Sequence, residues 1–330
     1  MSITTQLGQG TASAGALLRP DRRKPPVSSG DIVLIAGAGL AAAVALGALW
    51  RRSAGPAAEG STPAAAAGAE RLRQGSATLA ASVLVDSTFE HFRGNYENRL
   101  MYVPPALAAA TIAISLGRIG PRELQAGVFG AAVLVGTAGL GLHAYNVLKR
   151  PGGLSWNNLF YAAPIGAPGA LALSGALGVA ARAVEANAAR PEAMRRQHEL
   201  GRGMAFVLAG GLLGTVAEVG LLHFRGAYHN PAMYAPITLP PIAAASLMAA
   251  GAKPSPARLR LSRMLLAVTG ALGAIGTGFH AYGVQRNMGG WRNWSQNLFS
   301  GPPLPAPPAF TGLSIAGLGV LRLIAARRRR

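Results

Sequence analysis

The chain has 330 residues, of which 50% are hydrophobic and 13% charged, and its formal net charge is +19. A disordered chain needs low hydrophobicity and dense charge, so that class is excluded. There is no cysteine, which removes disulfides, thiolate-held iron–sulfur clusters, covalent c-type haem and cysteine-based zinc.

Six long stretches carry no Asp, Glu, Lys or Arg: Leu100–Gly117, Leu124–Leu148, Pro151–Ala181, Gly226–Ala252, Met264–Gln285 and Asn293–Leu321. A helix that crosses a bilayer needs about 20 mostly apolar residues. The expected class is an all-α, polytopic membrane protein, with the lipid bilayer as its first partner. The arginines sit between apolar segments and not along one face. Loop charge explains them, and nucleic acid is not an expected partner.

In chain order, residues 1–29 read as a polar tail and Asp31–Trp50 as a first apolar helix, closed by Arg51 and Arg52. The run starts late and ends in Trp-Arg-Arg, which favours an uncleaved helix over a secretion signal. Residues 53–74 are rich in Ala, Gly, Ser and Pro and read as a linker, so 1–74 forms the N-terminal region.

From about residue 75 the sequence repeats itself. The stretch from His91 to Pro104 and the stretch from His223 to Pro236 agree at nine of fourteen positions. Further on, His143-Ala144-Tyr145 answers His280-Ala281-Tyr282, and Asn158-Leu159-Phe160 answers Asn297-Leu298-Phe299. A period this long means two fused domains and not a solenoid. The first repeat covers 75–184, with apolar segments near 75–91, 103–117, 124–147 and 165–183. The second covers 204–330, with segments near 204–223, 236–251, 264–284 and 306–325 and a basic C-terminal tail. An even number of crossings per repeat makes the repeats parallel. With the first helix, about nine transmembrane helices are expected. Residues 185–203 read as a cytoplasmic linker, with His198 solvated on it.

Basic residues set the orientation. The segments 51–74, 118–123, 182–203, 252–263 and 322–330 hold 20 Lys and Arg, and the opposite side holds 11. The basic loops and the C-terminus are therefore expected in the cytoplasm, across a bacterial inner membrane. The N-terminal tail, with four basic residues, conflicts with this rule.

The polar chemistry gathers on the other side. All seven tyrosines and His91, His143, His223, His229 and His280 fall there. An aromatic belt accounts for some Trp and Tyr, but not for one-sidedness or for histidine. Glycines precede His143 by seven, four and two residues, and precede His280 by the same offsets. Such a stripe serves close helix packing or gives clearance to a flat macrocycle.

Asp86 and Glu218 each stand five residues before the first histidine of their repeat. Three roles are open for them: orienting an imidazole, ligating a metal, or pairing with Arg93 or Arg225. The copies differ, since Glu90 and Glu97 are answered by Leu222 and His229. The richest metal set is His223, His229, Glu218 and Asp86.

The leading expectation is an integral membrane subunit of a redox or electron-transfer system. Haem b or a metal would be held by His91, His143, His223 and His280. Arg93 and Arg225 would bind propionates or carboxylates, and Tyr96, Tyr102, Tyr228 and Tyr234 would hydrogen-bond around the site. Other membrane or periplasmic subunits would be its partners. The alternative is a structural or partner-docking membrane subunit without cofactor, in which the same residues form a hydrogen-bonded clamp. A small-molecule transporter is the third reading, weakened by the lack of charges or matched helix breaks at mid-membrane.

Overall fold

The computed structural model describes residues 62–162, 164–187 and 192–326. Among these, every regular element is helical. The expected helix at 31–50 and the N-terminal tail lie outside the described residues.

The elements are α1 (Pro63–Arg93), a 3₁₀ turn (Arg99–Tyr102), α2 (Val103–Gly117), α3 (Arg122–Leu148), a short α4 (Trp156–Tyr161) and α5 (Ala167–Ala186). They are followed by α6 (Ala193–Arg225), a 3₁₀ turn (Pro231–Tyr234), α7 (Ala235–Ala252), α8 (Pro256–Gln285), a 3₁₀ turn (Gly290–Asn293), a short α9 (Trp294–Ser300) and α10 (Pro308–Ala326). Seven helical segments among the described residues are long and apolar enough to cross a membrane. These are the helices of a polytopic membrane protein: α2 and α7, each with its preceding 3₁₀ turn, and α3, α5, α6, α8 and α10. Helix α1 is not among them. It carries Glu70, Arg71, Arg73, Asp86 and Glu90.

Two boundaries differ from the sequence reading. Residues 63–74, expected as linker, are the first turns of α1. Thr62 caps them by accepting the Ala65 N–H at 3.3 Å, Pro63 occupies the first turn, and four alanines follow. That is a strong helix start. Helix α6 likewise begins inside the expected linker. His198, read as a solvated residue, is only 7% exposed, and its Nδ1 lies 3.1 Å from the Ile324 carbonyl oxygen. The correction has a simple cause. Gln197, His198, Gly201, Met204, Ala205 and Leu208 form one buried helical face, and α6 packs on α10.

The two most closely packed helices are α1 and α10, and they run antiparallel. Gly68 faces Gly319 and Leu323, and Gly75 faces Gly312 and Ala316. A Cβ on Gly75 would stand 2.7 Å from the Gly312 carbonyl oxygen. Backbone approach of this kind is a main route to helix association in lipid, where apolar area alone gives no drive. Helix α1 also packs on α2 and α5, and α3 lies against α5. On the other side α6 packs on α7 and α10, and α8 on α7 and α10. Helices α3 and α8 are outermost: 17% of each spanning window is buried, against 67% for α10.

Glu70 and Arg73 of α1 are matched by its neighbours. Arg73 is 2% exposed and forms a bidentate pair with Glu185 of α5 at 2.7 and 2.8 Å. Its Nη2 also donates to the Gln125 Oε1 of α3, as does Arg182 Nη1 at 3.0 Å. Gln125 returns its amide to the carbonyls of Arg118 and Gly120, and Arg118 pairs with Glu70 at 2.9 Å. Removing one partner of a buried pair strands a charge, which costs roughly 3–5 kcal/mol. Arg73→Ala should therefore lower the apparent thermal stability of the detergent-solubilised protein markedly. The double variant Arg73→Met with Glu185→Met should recover most of the loss in the same melting experiment.

Candidate functional site

The ends of α1, α3, α6 and α8 that carry the histidines lie on one side of the bundle, together with the short helices α4 and α9. The loops after α1 and α6 are built alike. Asn95 and Tyr96 take left-handed backbone (φ 53° and 46°), as do Ala227 and Tyr228 (φ 55° and 46°). This folds the chain back, so that the Tyr96 N–H reaches the His91 carbonyl at 2.9 Å and the Tyr228 N–H reaches that of His223 at 3.1 Å. Asn98 and Asn230 then cap the 3₁₀ turns by accepting from the N–H groups of Leu100 and Ala232. The tyrosines close the structure. Tyr96 stacks on Tyr102 at 4.2 Å between ring centroids, and Tyr228 on Tyr234 at 4.7 Å. The hydroxyls of Tyr96 and Tyr228 donate to the carbonyls of Thr88 and Gly220. All four tyrosines thus shape their own loops.

Each of the four helix-end histidines is fixed by a backbone carbonyl. His91 Nδ1 lies 2.5 Å from Met101 O, His223 Nδ1 2.8 Å from Met233 O, His143 Nδ1 2.6 Å from Pro164 O, and His280 Nδ1 2.6 Å from Pro303 O. A carbonyl only accepts, so Nδ1 carries the proton and donates. In the neutral ring Nε2 is then a lone-pair donor to metal or an acceptor of hydrogen bonds. No hydrogen bond reaches Nε2 of any of the four among the described residues. His91 lies within electrostatic reach of His143, and His280 of His223. Backbone carbonyls, and not the carboxylates of Asp86 and Glu218, orient these rings.

The carboxylates are placed elsewhere. Glu218 Oε2 accepts the Gly166 N–H at 3.0 Å, and Asp86 lies within electrostatic reach of Glu218. The expected ion pairs with Arg93 and Arg225 do not form within 4 Å. Arg93 pairs with Glu90 at 2.7 Å, and Arg225 donates to the carbonyls of Leu159 and Ala162. His229 is exposed, and its Nδ1 faces the Gly226 carbonyl of its own loop. Among the described residues, no three His, Asp or Glu side chains gather as a metal ion requires, the set His223, His229, Glu218 and Asp86 included.

The glycine stripe has a clear occupant. A Cβ on Gly136 would collide with Ala172 and one on Gly139 with Pro168, both on α5 or its first turn. Gly273 and Gly276 meet Thr311 and Pro307 at the start of α10 in the same manner, while Gly141 and Gly278 meet nothing within 4 Å. The stripe is a helix-packing surface. That packing accounts for Gly136, Gly139, Gly273 and Gly276, while the positions nearest the histidines, Gly141 and Gly278, stay open.

Two features carry more structure than the sequence reading gave them. Asn158 and Asn297 are buried and hold their loops: Asn158 Nδ2 donates to the carbonyls of Pro151 and Gly153, and Asn297 Nδ2 to those of Met288 and Gly290. Their recurrence in Asn-Leu-Phe was the available signal. The phenylalanines cross between the two halves of the chain. Phe92 stacks on Phe299 at 5.2 Å, and Phe224 meets Phe160 and Trp156 edge-on. Each short helix therefore rests on the end of the other half's first helix.

Asn158→Ala and Asn297→Ala should each release two carbonyls and loosen one loop. Hydrogen–deuterium exchange should accelerate in 149–155 for the first variant and in 286–293 for the second, with the helical cores unchanged. Comparison with known proteins finds no matching family model, no matching curated protein and no matching solved structure.

Proposed function

We propose that this chain is an integral membrane subunit of an electron-transfer system, with a haem b bound between the two imidazoles of each half. One observation carries the reading. In each half, the two histidines come from helices at opposite corners of a four-helix unit, α1 and α3 or α6 and α8. Both rings reach the same end, both have Nδ1–H tied to a carbonyl, and both keep Nε2 for a ligand. A backbone carbonyl on the far nitrogen is the usual means of orienting a ligating imidazole. Two imidazoles suffice for haem, whereas a bare metal ion wants a third protein ligand.

In this reading the architecture is two parallel four-helix repeats plus an N-terminal helix, nine crossings in all. The basic loops and C-terminus are cytoplasmic, and the histidine end faces outward from a bacterial inner membrane. Arg93, exposed and paired with Glu90 at the surface, would turn to a propionate in the first half, and the stacked tyrosines would flank the site. Haem would supply one-electron chemistry. The chain supplies the ligands, their orientation and a partly apolar surround that sets potential.

A second reading is a cofactor-free scaffold that docks periplasmic or membrane subunits. The observation favouring it is that Tyr, Asn and Phe of the matched loops are all engaged in holding the loops themselves. Difference spectra of detergent-purified protein separate the two. The haem reading expects sharp Soret and α bands that move on dithionite reduction, with His143→Ala and His280→Ala each removing about half of the bound haem and the double variant all of it. A colourless wild-type protein that retains other subunits through purification would overturn it in favour of the scaffold.

A further inference from the structure

The two most lipid-exposed helices end in the same chemical device. On α3, Tyr145 is followed four residues later by Lys149, whose Nζ lies 5.4 Å from the ring centroid. On α8, Tyr282 is followed by Arg286, whose guanidinium carbon lies 5.8 Å from the ring. Both tyrosines are exposed, at 61% and 59%. Neither cation has a carboxylate partner among the described residues. Arg150 follows Lys149 directly and Arg292 lies in the 3₁₀ turn after α8; both are exposed, and neither has a carboxylate partner among the described residues.

The rest of each helix says what surrounds these ends. Leu124, Leu134 and Leu142 point outward from α3, and Leu261, Met264, Val268, Ile275 and Phe279 from α8. That apolar surface belongs against acyl chains. From Arg122 to Lys149 the helix rises about 40 Å, and from Arg258 to Arg286 about 42 Å, at ~1.5 Å per residue. A bilayer with its headgroups measures about 40–45 Å. In a bilayer of that thickness the cations at both ends would bracket the hydrocarbon, with Lys149 and Arg286 at the level of the phosphates. Lys and Arg extend their charge outward from such positions while the stem stays apolar. Trp156, Tyr161 and Trp291 are exposed on or beside α4 and α9, which follow these two helix ends in the chain, and such rings favour the headgroup layer.

We propose that the histidine-end termini of α3 and α8 each bind the phosphate headgroup of an acidic phospholipid, through Lys149 with Tyr145 and through Arg286 with Tyr282. The cation supplies charge, the tyrosine hydroxyl a further donor, and the adjoining apolar helix face seats the acyl chain. Charge complementarity and continuity with the lipid-facing surface select a lipid over a soluble anion. The sites are independent of any cofactor.

The test is the thermal midpoint of the full-length protein in detergent, with phosphatidylglycerol, phosphatidylcholine or inorganic phosphate added. Phosphatidylglycerol should raise the midpoint and the other two should not. Lys149→Gln with Arg286→Gln should abolish most of that rise, while Lys149→Arg with Arg286→Lys should keep it. Affinity at each site should fall about fivefold on loss of the charge, the equivalent of ~1 kcal/mol for one basic side chain at an anionic surface. An undiminished rise in the glutamine variant would overturn the assignment. An equal response to phosphatidylcholine would remove headgroup charge as the determinant, and a response to inorganic phosphate would make this a soluble-anion site. If the glutamine variant does not fold, native mass spectrometry of the wild type decides. About two more retained phosphatidylglycerols than phosphatidylcholines supports the proposal, and equal retention refutes it.

Discussion

The contact between α1 and α10 is the one on which the remaining packing depends. Gly68 and Gly75 on one helix, and Gly312 and Gly319 on the other, let two backbones meet almost directly. In lipid, burying a leucine against another leucine gains little over burying it against an acyl chain. Close approach, with its dense van der Waals contact, is what remains. Through this seam the first described helix is clasped by the last, and the two halves of the chain share one interior. Helices α2 and α5 then cover the other faces of α1, and α6 and α8 cover α10. Helices α3 and α8 are left at the periphery with their apolar faces outward.

The membrane class and most helix positions were legible in the sequence because charge-free runs of this length have no other stable use. The matched His, Asn and Tyr positions were legible because each recurs with its neighbours. What misled the reading was local composition. Ala64–Ala67 with Glu70, Arg71 and Arg73 resembles a linker when scanned for hydropathy, yet alanine is the best helix former, Glu70 pairs with Arg118 at the end of α2, and Arg73 has partners on α3 and α5. His198 looked solvated because it lies among Arg195, Arg196 and Glu199, which do face outward; helical periodicity turns it inward. Which residues would pair was not legible. Nothing in the order of the chain says that Glu218 takes the Gly166 N–H and leaves Arg225 to the carbonyls of Leu159 and Ala162.

At the histidine end, similar sequence gives similar local structure but unequal electrostatics. The carbonyl-tethered imidazoles and the stacked tyrosines occur in both halves with nearly the same geometry. The charged residues do not. Arg225 reaches across to the loop of α4 and lies over the Phe160 ring, while Arg93 folds back on Glu90. The position that answers Gly166 on the second half's side is Pro305, which has no N–H to give Asp86 what Gly166 gives Glu218. Under the haem reading proposed above, two centres with the same ligands and different neighbouring charge would have different potentials.

The polarity of α1 has a consequence for how the chain is made. A single Arg or Asp at the centre of a nascent membrane helix opposes insertion by roughly 2.5–3.5 kcal/mol, and α1 carries six ionisable residues besides His91. Its compensating groups, Glu185, Gln125 and Arg118, are synthesised later, and its glycine seam waits for α10. In a nine-crossing arrangement, α1 therefore cannot settle in the order in which it leaves the ribosome. It must wait at the translocation site, or at the membrane surface, until its neighbours have been threaded. With α1 as one of those nine crossings, biogenesis would be a retention problem, governed by how long the insertion machinery shelters one reluctant segment.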